Sequence, residues 1–295
     1  MITKIAGSDS RFMSEMELKV MGLHISKPRN LGHMTVYVSN ASQGAIRTDG
    51  GYMQALQAIS KRLAAGLVAL SMAGPVLAEQ ANQSYAVYVS GIKAGAINLS
   101  TDVTSNKYAA RGVVKATGLL SMVADFGFDG TVRGSLVNNW NAVPVAYEGA
   151  HKNRGGARNT VMSFSGNRPS GVKITPPRDS RKYDVDPLAQ SGTVDPVTAS
   201  FMLLRDRPLA QACDQQVEMF DGAKRSRISL GKRQKSDEGW VCNGVYERLA
   251  GFSSRELEKQ RSFNFTLYLS EQGQQAVVEK FVTQSTAGTV VAVRK

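Results

Sequence analysis

The feature that most constrains the fold is a long series of short segments in which apolar and polar residues alternate, separated by Gly, Asn, Asp and Pro. Alternation with a period of two is typical of β-strands, because successive side chains point to opposite faces of a sheet. Phe263, Phe265, Leu267 and Leu269 are expected to share one face in this way. About a dozen such strands at regular spacing predict an all-β protein, built as a curved antiparallel meander or an incomplete barrel.

The predicted strands form two series along the chain. Three hairpin turns are predicted between strand-like runs, at Asp129-Gly130, Asp221-Gly222 and 271–273, because Asp-Gly and Gly supply the backbone that tight turns need. The predicted strands are 84–89, 94–102, 107–117, 125–136, 143–151, 159–165, 171–174, 213–220, 224–232, 239–249, 263–270, 276–284 and 289–293.

One inserted segment departs from the strand pattern and predicts a helix. Asp195 followed by Pro196 provides an N-cap and a first helical residue. Apolar residues then recur at helical spacing, as at Val197 and Phe201, until Pro208 ends the run. A second, short helical turn is predicted at 118–124.

Residues 53–78 have the composition of a secretory signal peptide, although 52 residues precede them. A basic pair at 61–62 is followed by an apolar run at 63–74 and by a small-x-small site that predicts cleavage between Ala78 and Glu79. The apolar run is shorter than the roughly 20 residues of a membrane-spanning helix. If cleavage failed, the segment would remain as a membrane anchor; after cleavage, no integral membrane segment is expected.

The chain is therefore predicted to have three parts. Residues 1–52 are interpreted as a leader that is either disordered or the product of a misassigned start codon, 53–78 as a signal-peptide helix, and 79–295 as a single β-rich domain. A polar, Pro-rich connector and the predicted helix join halves of about 84–175 and 209–295. Export by this signal predicts a periplasmic location in a Gram-negative-type envelope.

Composition bounds the chemistry. The chain carries a net charge of +12, which permits attraction to anionic lipid headgroups or envelope polymers, whereas export argues against nucleic acid as a partner. Cys213 and Cys242 are the only cysteines, and in an oxidising compartment such a pair suggests one disulfide. Two buried free thiols are the alternative. A metal site is disfavoured because His151 is the only histidine after residue 78.

Several short motifs resemble, in order and spacing, the exported bacterial family known as domain of unknown function 3108. The resemblance covers roughly 84–293 and implies an envelope location and a β-rich fold, but it supplies no reaction. The motifs are Tyr85 with Gly91 and Gly95, Phe128-Asp129-Gly130, the Asp195–Ala199 run, Cys213, Phe220–Arg225, Cys242 and Tyr246–Phe252. Turn and core roles explain each of these motifs as well as a ligand would.

A search for catalytic constellations favours a non-enzyme. His151 stands among basic residues without an orienting carboxylate, and no nucleophile elbow, phosphate-binding loop or metal-ligand spacing occurs, so no cofactor is expected. The carboxylate pairs Asp184/Asp186 and Glu256/Glu258 are expected to be solvated. A hydrolase with dispersed carboxylates is the least favoured alternative.

The functional hypothesis is a non-catalytic binding or carrier module for an apolar or amphipathic component of the cell envelope, such as a lipid. The alternative is a structural or scaffolding envelope protein that acts through protein–protein contacts. A basic cluster could contact an anionic surface, or could simply protect a sheet edge from aggregation. The cluster comprises Lys224, Arg225, Arg227, Lys232 and Arg233.

Overall fold

The computed structural model describes residues 79–117, 126–138, 141–153, 156–285 and 288–295. Its first seven strands follow one another as an antiparallel meander in which each strand pairs with the next. The predicted leader, signal peptide and helical turn at 118–124 lie outside the described residues. The strands are β1 (Glu79–Val89), β2 (Ile92–Thr104), β3 (Lys107–Ala116), β4 (Gly127–Val137), β5 (Asn141–Asn153), β6 (Gly156–Phe164) and β7 (Pro169–Thr175).

The second series of strands follows helix α1 (Pro196–Leu204) and contains a short helix, α2 (Ser254–Lys259). Two 3-10 turns, Pro187–Ala189 and Leu209–Gln211, flank α1 in the connecting chain. The remaining strands are β8 (Arg207–Pro208), β9 (Gln215–Phe220), β10 (Arg225–Leu230), β11 (Gln234–Ser236), β12 (Gly239–Ala250), β13 (Ser262–Gln272), β14 (Gln275–Ser285) and β15 (Gly288–Arg294).

The two series join into one antiparallel sheet through β1 and β15, where Tyr85 pairs with Arg294 and Val89 with Val290. The order along the sheet is β7-β6-β5-β4-β3-β2-β1-β15-β14-β13-β12-β10-β9, while β11 pairs with β12 and β8 with β14. The all-β antiparallel class and all thirteen predicted strands are confirmed. The two strands that the sequence missed, β8 and β11, are only two and three residues long.

Helix α1 lies inside the curve of the sheet. Val197 and Phe201 are fully buried, in a core with side chains from β2 to β6 and from β9. Since β6 and β9 stand near opposite ends of the strand order, the sheet must curl around the helix for both to reach it. Asp195 caps α1 and Pro196 is its first residue, as predicted. The other members of this core are Leu99, Tyr108, Ala110, Val132, Leu136, Ala142, Tyr147, Met162, Phe164 and Phe220.

The curl brings the two ends of the sheet together without joining them by strand pairing. At the turn between β9 and β10, a Cβ added to Gly222 would lie 2.6 Å from Thr160 Cγ2 in β6. The chain before α1 crosses this gap: the Thr193 amide donates to the Asn167 carbonyl, and the Val194 amide donates to the Glu218 carbonyl in β9. The predicted incomplete barrel is therefore confirmed, with its seam bridged by irregular chain.

The second core lies under β1, β2 and β10 to β15. Phe265, Leu267 and Leu269 are buried on one face of β13, as their alternation predicts, and Phe263 on the same strand is half-buried. Phe252, which follows the left-handed Gly251 at the end of β12, is also buried. Residues from both halves of the chain therefore share this core.

Two turn predictions are right and one is wrong. Asp221-Gly222 forms a turn in which Asp221 Oδ1 accepts hydrogen bonds from the amides of Ala223 and Lys224, and Gly273 lies in the turn between β13 and β14. Asp129-Gly130, in contrast, lies in the middle of β4 and pairs with β5. Gly130 is required there by packing, because the Phe128 ring and Val197 fill the space where a side chain would stand.

Candidate functional site

The cysteine pair that the sequence singles out lies at disulfide geometry. Cys213, just before β9, and Cys242, in β12, are bonded through their sulfur atoms with a Cα–Cα distance of 5.6 Å. That distance is ordinary for a disulfide. Because β10 lies between β9 and β12 in the sheet, the link ties the chain entering one edge strand to a strand two positions away. The geometry supports the predicted disulfide.

Two residues of the predicted basic cluster are paired with one carboxylate. Arg225 Nε donates to Glu218 Oε2 over 2.6 Å, and Arg227 Nη2 donates to Glu218 Oε1 over 2.7 Å. Partial burial acts to raise the pKa of Glu218, but the hydrogen bonds from Arg227 and Arg225 outweigh it and leave that pKa below its ordinary value. Glu218 offsets one of these two positive charges, and Glu247 on β12 lies 3.5 Å from Arg227.

Two further members of the cluster hold neighbouring loops. Lys224 Nζ forms an ion pair with Glu256 Oε1 over 2.7 Å and lies 4.7 Å from the centre of the Phe252 ring. Arg233 donates to the Leu209 carbonyl and lies over Trp240. Lys232 is exposed. Contact of the cluster with an anionic surface stays a prediction, and four of its five side chains have structural partners.

The N-cap of α1 is also the centre of a buried network of hydrogen bonds. Asp195 Oδ1 accepts from the amides of Val197 and Thr198, each over 2.9 Å, and Oδ2 accepts from Thr198 Oγ1 over 2.5 Å. Since the Thr198 hydroxyl hydrogen points to the carboxylate, the Tyr108 hydroxyl donates to Thr198 Oγ1 over 2.7 Å. The Tyr108 ring stacks on Phe201, with 4.9 Å between ring centres.

Burial controls the protonation of Asp195 and Tyr108 in this network. It raises the pKa of Asp195 to about 6, although the hydrogen bonds from Thr198 and Val197 oppose the shift. It also raises the pKa of the Tyr108 hydroxyl far above its ordinary value, with the nearby Asp195 charge contributing. The network is enclosed by packed side chains, and its geometry is accounted for by helix capping and core packing.

The described residues contain no pair of buried carboxyl groups such as a hydrolase with dispersed carboxylates would need, because Asp195 is the only buried Asp or Glu among them. Glu256 and Glu258 lie on α2, where Glu256 completes a capping box with Ser253. No group of His, Cys, Asp and Glu in the described ranges could hold a metal ion. None of the helices in this part of the chain is long and apolar enough to cross a membrane.

A concavity of about 700 Å³ lies over β10, β12, β13 and β14. Three consecutive residues of β12, β13 and β14 line it, together with the last two residues of β10 and the glycine that follows. The side chains of Leu230 and Phe265, each in the middle of its triplet, are buried in the interior, so by strand alternation their neighbours face outward. The concavity is therefore on the outer face of the sheet. Its lining is Ser229, Leu230, Gly231, Asn243, Gly244, Val245, Asn264, Phe265, Thr266, Val282, Thr283 and Gln284.

The lining contains no charged residue. Amide and hydroxyl groups form a partly connected network, in which Thr266 Oγ1 donates to Asn243 Oδ1 over 3.0 Å. Val245 and Val282 add apolar surface between these polar groups. On the interior side of the same strands, Gly244 lies against the Phe265 ring, and a Cβ at this position would come within 2.3 Å of that ring. The surface is amphipathic and neutral.

The family model described as "Protein of unknown function (DUF3108)" matches residues 84–238. The chain belongs to this family. The match to DUF3108 confirms the predicted resemblance over 84–238, whereas the motifs at Cys242 and Tyr246–Phe252 lie beyond the matched range, and it assigns no reaction. No curated protein matches the chain. A solved structure, the beta-barrel-like protein of domain of unknown function DUF1849 from Brucella abortus, is 12% identical, covers 73% of this chain and 95% of that chain, and gives a TM-score of 0.42.

The sequence did not reveal the concavity in this DUF3108 protein, because its lining comes from four strands whose pairing brings residues 229 and 284 to one surface. It also missed α2, for which a local signal exists: Ser253 followed three residues later by Glu256 is a capping-box pattern. The predicted cleavage site is described only in part. Glu79 is the first residue of β1, and Ala78 lies outside the described residues.

Proposed function

We propose that this protein is a non-catalytic binding module of the cell envelope, and that it binds an uncharged part of an amphipathic envelope molecule on the outer face of β10, β12, β13 and β14. The observation that carries the proposal is the neutral concavity of about 700 Å³ on those strands. Small-molecule sites commonly have volumes of about 300–1,000 Å³ and combine apolar surface with a few polar groups.

The outer face is favoured over the interior because α1 and the side chains packed against it fill the space inside the curve of the sheet. Val197 and Phe201 of α1 are fully buried, and the ring of Tyr108 stacks on Phe201. A carrier that enclosed a lipid beside α1 would have to displace this packing. Binding on the outer face requires no such rearrangement.

The chemistry of the lining defines the class of ligand. The strand backbones already pair with one another, so side-chain amides and hydroxyls such as Asn243, Asn264 and Gln284 supply the polar contacts. Val245 and Val282 supply apolar contacts. A molecule that presents hydroxyl or amide groups beside a hydrophobic surface suits this lining, whereas burial of a charged group there would lack a partner.

The envelope location rests on the predicted signal peptide at 53–78 and is compatible with the cysteine pair, since disulfides persist in oxidising compartments. The proposed role therefore places the binding surface where envelope lipids and glycans are present.

Native mass spectrometry of the protein recovered from the periplasmic fraction tests the proposal. We expect the wild-type polypeptide to carry an added mass that a Val245→Asp variant loses, because the new carboxylate would lie in the neutral lining. Val161→Asp is the matched control, since Val161 is 44% exposed on β6, a strand that contributes no residue to the lining of the concavity. It should retain the added mass.

Circular dichroism must show that both variants are folded. Equal loss of the added mass in both variants, or its retention in Val245→Asp, would place any ligand elsewhere and overturn the assigned surface. A wild-type mass with no addition would favour the scaffolding alternative. A polypeptide mass that includes residues 1–78 would contradict the predicted cleavage.

A further inference from the structure

Arg207 is a buried arginine whose side chain forms no ion pair with a carboxylate among the described residues. It is 6% exposed and lies in β8, which pairs with the first two residues of β14. Its Nε donates to the Arg205 carbonyl over 3.3 Å, and its Nη1 donates to Gln215 Oε1 over 2.7 Å. Within the described chain, its Nη2 has no hydrogen-bond partner. Both acceptors are neutral.

The one acid beside Arg207 is already used by another arginine. Asp206 accepts from Arg294 through both carboxylate oxygens, over 2.8 and 3.2 Å. Asp206 Oδ1 also accepts from Gln83 Nε2 over 3.1 Å. With that pair neutral overall, the positive charge of Arg207 remains uncompensated. Desolvation lowers the pKa of Arg207 to about 10, which still leaves it charged at neutral pH.

A second buried polar side chain contacts Asp206. Gln83, in β1, is 3% exposed, and its Oε1 has no hydrogen-bond partner in the described residues although its Nε2 is bonded to Asp206. A buried donor and a buried acceptor that both lack partners are uncommon, and each such group calls for an ordered water, an ion or a ligand. A buried cation adds the requirement of a negative charge.

We propose that Arg207 forms a binding site for a small oxyanion: a phosphate, either free or as the phosphomonoester headgroup of a lipid. A phosphate oxygen would accept from Arg207 Nη2, which has no partner among the described residues. Asp206, the neighbour of Arg207 in the chain, and its partner Arg294 have side chains that are 33% and 19% exposed, so this part of the structure lies near the surface. The site is separate from the neutral concavity, which lies at the other end of β14.

Thermal unfolding of the exported chain with increasing inorganic phosphate tests the site, with chloride at equal ionic strength as the reference. A ligand that binds only the folded state raises the melting temperature in a concentration-dependent way. A second arm uses a short-chain phosphatidate below its critical micelle concentration. Stabilisation by both arms indicates recognition of phosphate itself, and stabilisation by the phosphatidate alone indicates a lipid headgroup.

Arg207→Met removes the charge and keeps the length of the side chain. It should fold, because replacing a buried charge that lacks a counterion with an apolar group of similar size is often tolerated. We expect its apparent affinity to be about tenfold or more weaker, as loss of a charge-assisted hydrogen bond implies. Arg255→Met, at an exposed position on α2, is the matched control and should behave as wild type.

Arg207→Lys provides a second check that does not depend on the Met variant folding, and it should keep part of the phosphate effect. The site is overturned if neither phosphate nor phosphatidate stabilises the wild-type chain more than chloride does. It is equally overturned if Arg207→Met retains the full effect. In either case ordered water would satisfy Arg207 and Gln83.

Discussion

Val197 on α1 packs directly over Gly130 on β4: a Cβ added at position 130 would lie 3.0 Å from Val197 Cγ2 and 2.7 Å from the Phe128 ring. The contact sets how closely the helix can approach the sheet. Because Val197 is fully buried, it cannot move away into solvent. The close approach of the interior helix to the sheet thus depends on the absence of one side chain.

Gly130→Ala is therefore expected to destabilise the fold by about 1–3 kcal/mol, the usual range for overpacking a core. Gly171→Ala is the matched control, since a Cβ at position 171 would meet nothing closer than 4.0 Å and β7 is an edge strand. Urea unfolding of both variants measures the difference. Equal stability of the Gly130→Ala variant and wild type would show that α1 is not tightly packed against β4.

Gly130 also shows where reasoning from the sequence stops. Alternation in β13 and the cap at Asp195 are local signals, and both gave the right element. Asp129-Gly130 is the same kind of local signal as Asp221-Gly222, yet only the latter forms a turn. The difference lies in Val197, which is more than sixty residues away in the sequence. Tertiary packing overrides a local preference in such cases.

The candidate sites were hidden for a related reason. Arg207 is an ordinary arginine in the sequence, and only the chain fold buries it beside an acid that Arg294 already occupies. The neutral concavity depends on the register of four strands. The cysteine pair was predictable because only two cysteines exist, and the basic cluster was visible as composition, but its ion pairs with Glu218 and Glu256 were not.

Ser253→Ala should lower the free energy of unfolding by about 1 kcal/mol, because it removes the N-cap of α2. Ser253 and Glu256 exchange hydrogen bonds as a capping box, and Glu256 also pairs with Lys224. Ser254→Ala, on the exposed neighbouring position, is the control and should change stability little. If both variants unfold at the same urea concentration as wild type, the capping box does not stabilise the domain.

The stability that Glu256 contributes should depend on pH. Burial raises its pKa, but the hydrogen bonds from Lys224 and Ser253 prevail and lower it to about 2. A carboxyl group with a depressed folded pKa stabilises the fold above its unfolded pKa of 4.5, and that contribution is lost as the pH falls towards 2. Glu256→Gln should therefore be less stable than wild type at pH 7, with the difference shrinking under acid conditions. A difference that is the same at pH 7 and pH 3 would contradict this assignment.

Joint replacement of Cys213 and Cys242 by Ala should cost roughly 3.5 kcal/mol, the chain-entropy estimate for closing a loop of about 30 residues. The paired residues are 29 positions apart. Guanidinium unfolding of the double variant and of the oxidised wild type measures the difference, and reduced wild type is the matched control because it keeps both side chains. Similar stability of oxidised and reduced wild type would mean that the link does not constrain the unfolded chain.

Asp195 gives the fold a pH dependence of the opposite sign to that of Glu256. Its folded pKa of about 6 lies above the unfolded value of 3.8, so the folded state binds the proton more tightly. The protonated group therefore contributes to the free energy of unfolding. This contribution is fully present below pH 3.8 and is lost as the pH rises through 6. A difference of about two pKa units between the folded and unfolded states corresponds to a loss of stability on the order of 3 kcal/mol between those pH limits.

Asp195→Asn should abolish that loss, because the amide is neutral at every pH. Its oxygen can still cap the amides of Val197 and Thr198, and its NH₂ group can donate to Thr198 Oγ1, which then donates to the Tyr108 hydroxyl. Urea unfolding from pH 3.5 to 7 gives the free energy of unfolding of wild type and variant as a function of pH. Subtracting one curve from the other cancels the contributions of the other titrating groups. We expect the variant to gain stability relative to wild type as the pH rises from 4 to 6. Asp237→Asn, at an exposed turn, should show no such gain. A constant difference between Asp195→Asn and wild type across this range would show that burial does not control the protonation of Asp195.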